Sequence, residues 1–225
     1  MQRRLTPLVA FIALVPLVSC LNGSSGDVAP PVTTGPYSAV VTDLKDSTKA
    51  PAASIVLVRA HVTHDGIAIP AAAVKFTVAA GHGLLSVDST STDTLGVATV
   101  LWTLGDTASE VNTLSIVSGD GADSLHVVAI VGSPSYLVPV TTGSNDVAAG
   151  APFAIQVRVT DRPGNPVPGA TVFWTTTGGT LAAPSSVSDA NGVARATFTS
   201  AQPGVFTVSA VIPETATRDF QITVH

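Results

Sequence analysis

DRPGNPVPGATVFW, the stretch from Asp161 to Trp174, contains the strongest indication of the fold. Its first nine residues include three prolines and two glycines, a density that is typical of a turn between strands. Apolar residues then recur at every second position, at Val172 and Trp174, as they do before the turn from Phe153 to Val159. A period of two predicts strands with one buried face, so the stretch indicates two strands joined by a turn.

The composition of the whole chain agrees with a protein built of strands. Only 11% of the 225 residues are charged and 5% are aromatic. Val, Thr, Ala, Ser and Gly dominate, and this mixture suits pleated strands and turns better than helices. Beyond the N-terminal leader, no segment of helical length has apolar residues at the helical period. The sequence therefore predicts an all-β protein.

The pattern occurs twice, at a spacing of about 97 residues. The second copy reads VRVTDRPGNPVPGATVFWTTTGGTL and then SDANGVARATFTS, and the first reads RAHVTHDGIAIPAAAVKFTVAAGHGLL and then TDTLGVATVLWTL. About seven short strands fit into each block of roughly 95 residues. We predict two tandem immunoglobulin-like antiparallel β-sandwiches, at 36–132 and 133–225, joined by a short hinge, GSPSY, at 132–136.

Four large side chains are in phase with the buried alternation of their strands and are predicted to form the cores: Phe76, Trp102, Trp174 and Phe198. Surface tryptophans that stack on sugars are the alternative, but their phase favours packing. Gly96 and Gly192 occupy equivalent positions in the two copies, and we predict that each provides the positive φ of a tight turn.

DRPGNPVPGATVFW followed by SDANGVARA resembles the bacterial immunoglobulin-like repeats of invasin and intimin, whose pattern runs D-x-x-G-N-P-V-P-G-x-x-V-x-W and later T-D-A-N-G-x-A. The match is close over residues 161–194 and departs at Ser188, where the family usually has Thr. The first copy, over 58–98, keeps only six residues of the skeleton: Gly66, Pro70, Val74, Asp93, Gly96 and Ala98. In invasin-like adhesins such repeats form a stiff stalk below a lectin-like head. The resemblance therefore implies the fold for both copies and a role in adhesion or spacing.

The N-terminus has the features of an export signal. Two arginines precede a fourteen-residue apolar run, Leu5 to Val18, which is shorter than the roughly 20 residues of a spanning helix. Leu17, Val18 and Ser19 before Cys20 resemble the lipobox of bacterial lipoproteins, in which signal peptidase cleaves before the cysteine. The resemblance implies a signal peptide at 1–19 and a covalent diacylglyceryl lipid on Cys20, and no other cofactor is predicted. A soluble secreted protein with a chance cysteine is the alternative.

Residues 20–35 are rich in Gly, Ser and Pro and are predicted to form a flexible tether. Leu21 stands where enteric lipoproteins that stay in the inner membrane tend to have Asp, so the outer membrane or cell surface is favoured. Without residues 1–19 the chain has eight Lys and Arg against fifteen Asp and Glu, a formal net charge of −7. That charge repels phosphate backbones, and we predict no nucleic-acid partner.

Candidate sites for other chemistry are few. The sequence lacks a Gly-x-Ser-x-Gly elbow, a His-Glu-x-x-His motif and a cysteine pair for zinc, so no catalytic residue or metal site is predicted. HVTHDG, residues 61–66, offers two histidines whose spacing of three puts them on opposite faces of a strand, and we expect both to be exposed. GDGADS, residues 119–124, offers two carboxylates for calcium, but an ordinary hairpin turn is favoured.

Surface loops are the best predicted place for a ligand of unknown identity, either AAGHG at 79–83 or TTTGG at 175–179. We predict a non-catalytic, lipid-anchored envelope protein that displays two immunoglobulin-like domains for adhesion or surface scaffolding. Its predicted partners are the membrane, through the lipid, and a protein or glycan at the loops. A polysaccharide-binding or envelope-assembly module facing the periplasm is the alternative, and an accessory subunit of an enzyme is a third.

Overall fold

A computed structural model describes residues 37–225. All of them belong to one compact unit of the chain. The predicted leader and tether, including Cys20, lie outside the described residues.

The first half of the described chain forms ten strands: β1 Tyr37–Val41, β2 Thr48–Pro51, β3 Ile55–His64, β4 Ile67–Ala68, β5 Ala73–Ala80, β6 Leu84–Leu85, β7 Ser89–Ser91, β8 Val97–Thr103, β9 Val111–Ser118 and β10 Gly121–Ile130. They make two sheets. Sheet I has the order β1-β3-β8-β6, with β4 beside β3, and sheet II has the order β2-β10-β9-β5-β7.

The second half repeats this arrangement with nine strands: β11 Tyr136–Pro139, β12 Asp146–Val147, β13 Phe153–Thr160, β14 Thr171–Thr176, β15 Thr180–Leu181, β16 Ser185–Val187, β17 Val193–Thr199, β18 Gly204–Ile212 and β19 Ala216–Val224. Sheet III has the order β11-β13-β17-β15, and sheet IV has the order β12-β19-β18-β14-β16.

The predicted all-β fold of two immunoglobulin-like sandwiches is confirmed, with more strands than the expected seven in each copy. The first segment of each copy is divided between two sheets. In the first copy β1 belongs to sheet I and β2 to sheet II, and in the second copy β11 belongs to sheet III and β12 to sheet IV. Strands β2 and β12 run parallel to their neighbours β10 and β19, and every other strand pairing in the described residues is antiparallel. The other strands beyond the expected seven are short ones of two or three residues beside the turns.

Each sandwich has a hydrophobic core of its own. In the first, Phe76 and Trp102 are buried among aliphatic side chains of both sheets, and in the second Trp174 and Phe198 lie in the same way. The pairing is consistent with the repeat, because Phe76 and Trp174 lie on β5 and β14, while Trp102 and Phe198 lie on β8 and β17. Alternating burial along β13 and β17 gives these strands one face in the core.

The repeated Asp and Gly before β8 and β17 build one kind of turn. Oδ1 of Asp189 accepts the backbone N–H groups of Asn191 and Val193, and Asp93 does the same for its own turn. Gly192 has a φ of 73° and Gly96 a φ of 74°, in the region that favours glycine. A Cβ on Gly192 would lie 2.7 Å from the carbonyl oxygen of Val159, so this turn also needs the close approach.

A buried hydroxyl precedes each of these turns. Oγ of Ser188 donates to the carbonyl of Val167 at 2.7 Å and accepts the N–H of Ala170 at 2.9 Å. Thr92 makes the equivalent two bonds in the first sandwich, at 2.6 and 2.8 Å. The hydroxyl is the feature that the position requires, which explains why Ser can stand where the family usually has Thr.

Candidate functional site

The predicted lipid-attachment residue Cys20 and the residues before it, Leu17, Val18 and Ser19, lie outside the described residues. Within residues 37–225, no helix is long and apolar enough to cross a membrane.

The AAGHG loop lines an open cleft of about 560 Å³ at one end of the first sandwich. Its walls are residues 78–83 and Glu110. The ring of His82 projects into solvent, and its Nδ1 lies 3.4 Å from a carboxylate oxygen of Glu110. The cleft is therefore lined mainly by small apolar residues, with one carboxylate and one imidazole among them.

The glycines of both candidate loops have a packing role. A Cβ on Gly83 would lie 2.7 Å from the indole nitrogen of Trp102, and one on Gly179 would lie 2.6 Å from the ring of Phe198. Aromatic side chains of the core therefore reach the end of each sandwich directly beneath these loops. Close packing on the core therefore explains Gly83 and Gly179 without a ligand.

The two histidines of HVTHDG lie on opposite faces of β3, and only one of them behaves as expected. His61 is partly exposed, with Nε2 3.0 Å from the carbonyl oxygen of Leu95. The expectation that His64 is exposed is wrong, because its side chain is only 5% exposed and continues the buried alternation. Its ring packs edge-on against Tyr37, and Nδ1 lies 3.3 Å from Asp65. The pair has no geometry for holding one metal ion.

The carboxylates of GDGADS are used within the fold. Asp120 accepts the backbone N–H of Tyr37 at 2.7 Å, and Asp123 accepts that of Val41 at 2.9 Å. Both donors belong to β1, an edge strand of sheet I, and they face away from its partner β3. The two aspartates therefore hold the edge strand from the β9–β10 hairpin, which the sequence pattern did not indicate. Among residues 37–225, no group of three or more His, Cys, Asp or Glu could hold a metal ion.

We expect calcium to leave the thermal stability of this protein unchanged. Calcium needs six or more oxygen ligands, whereas these two carboxylates are already engaged by backbone N–H groups. Melting curves recorded with excess calcium and with a chelator should have equal Tm values. A higher Tm in calcium that is lost in Asp120→Ala would contradict this expectation, because a ligand that binds the folded state raises its stability.

Two exposed carboxylates have altered acidity. The backbone N–H of His126 donates to Asp46 and, with the imidazole of the same residue, lowers the pKa of that carboxyl. The guanidinium of Arg195 lowers the pKa of Asp189, assisted by the N–H of Val193. Both shifts follow from hydrogen bonds of the fold, one to strand β10 and one within a turn, so they give no indication of acid–base catalysis.

The outer face of sheet I has an apolar surface that the sequence prediction did not include. Ile55 is 67% exposed and Leu84 is 72% exposed, and both are cross-strand neighbours of Thr103. Leu57 and Leu101 pair directly beside them. The large aliphatic residues at 55, 57 and 101 are the sequence signal for this surface.

Comparison with known proteins finds a family model that matches the second sandwich. Residues 138–225 match the family model "Bacterial Ig-like domain (group 1)". Intimin of Escherichia coli O127:H6 (strain E2348/69 / EPEC) is 28% identical over 176 residues, which are 76% of this chain and 18% of intimin. The chain thus spans less than a fifth of that curated relative. The predicted similarity to the repeats of invasin and intimin is confirmed.

Among solved structures, a pair of intimin domains and a second adhesin are similar to this chain. The D0-D1 domain of intimin is 25% identical, with 84% of this chain and 97% of that one covered and a TM-score of 0.34. The Escherichia coli adhesin FdeC is 18% identical, with 84% and 62% covered and a TM-score of 0.46.

Proposed function

We propose that this chain, whose residues 138–225 match the model of the bacterial Ig-like domain (group 1), works without catalysis at the cell envelope, as a lipid-anchored protein for adhesion or surface scaffolding. The observation that carries the proposal is the intimin-type repeat, matched in the second sandwich and extended to the first by the intimin alignment over 176 residues. The lipid on Cys20 is proposed from the lipobox alone.

The apolar surface on sheet I supports a role in contact with another protein. Exposed aliphatic side chains at Ile55, Leu57, Leu84 and Leu101 form a group on one face, whereas single exposed apolar residues are normal. The open cleft beside the AAGHG loop is a second place for contact, with Glu110 at its rim. Neither feature identifies the partner.

Replacing Cys20 with alanine should move the protein from the membrane fraction to the soluble fraction. A diacylglyceryl group supplies the two acyl chains that stable attachment requires, at about 0.8 kcal/mol for each buried methylene. Fractionation of cells that produce the wild type, Cys20→Ala and the neighbouring control Ser25→Ala would measure this. Membrane association of Cys20→Ala equal to that of the wild type would contradict the anchor.

Protease treatment of intact cells separates the two proposed orientations. Digestion of the described domains on intact cells supports display at the surface and a role in adhesion. Protection until the outer membrane is opened favours the alternative of polysaccharide binding or envelope assembly in the periplasm.

Binding assays with the two sandwiches then test the adhesion proposal itself. We expect the protein to bind to a protein array or to whole cells, and we expect Leu57→Asp to weaken this binding. The control Thr99→Asp, which lies on β8 on the same outer face of sheet I, should leave it unchanged. Binding to isolated envelope polysaccharide, unaffected by Leu57→Asp, would favour the alternative function.

A further inference from the structure

The side-chain amide of Asn165, in the second sandwich, makes two hydrogen bonds to the backbone of the first sandwich. Oδ1 of Asn165 accepts the backbone N–H of Ala108 at 2.9 Å, and Nδ2 of Asn165 donates to the backbone carbonyl of Asp106 at 2.8 Å. Ala108 and Asp106 belong to the connection between β8 and β9. Asn165 therefore matches one donor and one acceptor of that connection in a fixed orientation.

Asp161 holds Asn165 in place. Its side chain is 1% exposed, and its carboxylate accepts the backbone N–H groups of Gly164 at 3.0 Å and Asn165 at 2.7 Å. The same carboxylate lies 3.1 and 3.3 Å from Nδ2 of Asn165. Because these bonds fix both the backbone and the amide of Asn165, Asp161 is a positioning residue for the contact.

Asp161 also fixes the connection between the two sandwiches. Its Oδ2 accepts the backbone N–H of Gly132 at 2.9 Å, and the N–H of Ser135 donates to the carbonyl of Thr160 at 2.8 Å. The segment predicted as a hinge is thus bonded to the second sandwich at two points. A groove of about 310 Å³ remains open beside the contact, lined by residues 52–54 and Asp106 on one side and by Arg162 and Pro163 on the other.

The first sandwich shows that the fold does not require these two side chains. In the second copy the backbone N–H of Val167 donates to the carbonyl of Val159 across the turn that contains Asp161 and Asn165. The equivalent bond in the first copy runs from the N–H of Ile69 to the carbonyl of Val62. His64 follows Val62 by two residues as Asp161 follows Val159, so these two positions are equivalent. Likewise Ile67 and Asn165 are equivalent, because each stands two residues before the donor of this bond. Ile67 is exposed and makes no such contact with its apolar side chain. The polar pair therefore belongs to the junction between the sandwiches.

We propose that Asn165 and Asp161 form an interdomain clamp that fixes the orientation of the second sandwich on the first. Small polar interfaces between domains ordinarily permit relative motion, and a doubly bonded amide with a buried positioning carboxylate opposes it. The clamp makes the pair a spacer of defined geometry. The proposal does not depend on adhesion or on the lipid.

Spin labels on the full chain test the clamp. With Cys20→Ser, engineered cysteines at the exposed positions Ser89 and Thr217 carry the labels, one in each sandwich. Double electron–electron resonance then gives the distribution of distances between them. We expect a narrow distribution in this reference and one about twofold broader in Asn165→Ala and Asn165→Asp, because the interface that remains is small.

Asn191→Ala is the matched control, since Asn191 is an exposed asparagine of the same sandwich whose backbone N–H donates to Asp189 in its own turn. Broadening confined to the two Asn165 variants, with both thermal transitions retained, supports the clamp. Equal widths in all the proteins would overturn it, as would a reference as broad as the variants. Loss of the second sandwich's transition in Asn165→Ala would also overturn it, because Asn165 would then be a determinant of the fold.

Discussion

Replacing Trp174 with alanine should lower the free energy of unfolding of the second sandwich by about 3–5 kcal/mol. The side chain is 3% exposed and packs in the core between sheets III and IV. Its Nε1 donates to Oγ of Ser186 at 2.9 Å, so the substitution removes a hydrogen bond as well as the largest side chain of that core. With a single cysteine in the chain, no intramolecular disulfide offsets the loss.

Calorimetry of the full chain would measure this effect, because the two sandwiches have separate cores. Phe173→Ala is the matched control, as Phe173 is the preceding residue of β14 and is 44% exposed on the outer face. We expect the transition of the first sandwich to be unchanged in both variants. Equal losses from Trp174→Ala and Phe173→Ala would contradict the assignment of Trp174 to the core.

The alternation of apolar residues was sufficient to predict the fold, because its physical cause is local. A strand with one buried face needs an apolar residue at every second position, and β13, β14 and β17 satisfy this in the sequence itself. The Asp and Gly of the turn before β17 could likewise be predicted directly, since Asp189 bonds to backbone groups two and four residues away and to the side chain of Arg195, six residues away. Their roles require no knowledge of the other sheet.

Features that depend on distant segments were not predictable in this way. His64 is buried because β3 extends to the end of its pairing with β1, where Tyr37 covers the imidazole. Asp120 and Asp123 hold an edge strand more than 80 residues away, and a turn motif alone cannot indicate that partner. The two buried tryptophans also differ, since Trp174 has a partner for its indole N–H whereas Trp102 has none within hydrogen-bond distance.

The candidate site likewise has one part that the sequence predicts and other parts that depend on distant segments. The AAGHG loop could be predicted from its position at the end of the sandwich, and its Gly83 is explained by the indole of Trp102 beneath it. The apolar surface on sheet I needed the cross-strand register, because only the pairing of Leu57 with Leu101 shows that the outward residues of β3 and β8 are neighbours. The contact of Asn165 with the first sandwich required both copies in three dimensions, since its partners are backbone atoms and leave no trace in the sequence.

Asp161→Ala should lower the free energy of unfolding of the second sandwich by about 2–4 kcal/mol. The carboxylate accepts three backbone N–H groups, from Gly132, Gly164 and Asn165, at 2.7 to 3.0 Å. Alanine leaves these donors without a partner at a site where the aspartate is 1% exposed, and a buried donor that loses its acceptor costs more than the bond itself contributes.

Asp189→Ala is the matched control for this effect. Asp189 also accepts two backbone N–H groups in a turn of the same sandwich, but its side chain is 37% exposed, so water can replace the carboxylate. Calorimetry should show a clearly smaller loss for Asp189→Ala, and an intermediate one for Asp161→Asn, which keeps a single acceptor oxygen. If Asp161→Ala were no more destabilising than Asp189→Ala, the buried carboxylate would not organise this end of the sandwich. The connection at Gly132 would then have to be held by the backbone bond from Ser135 to Thr160 alone.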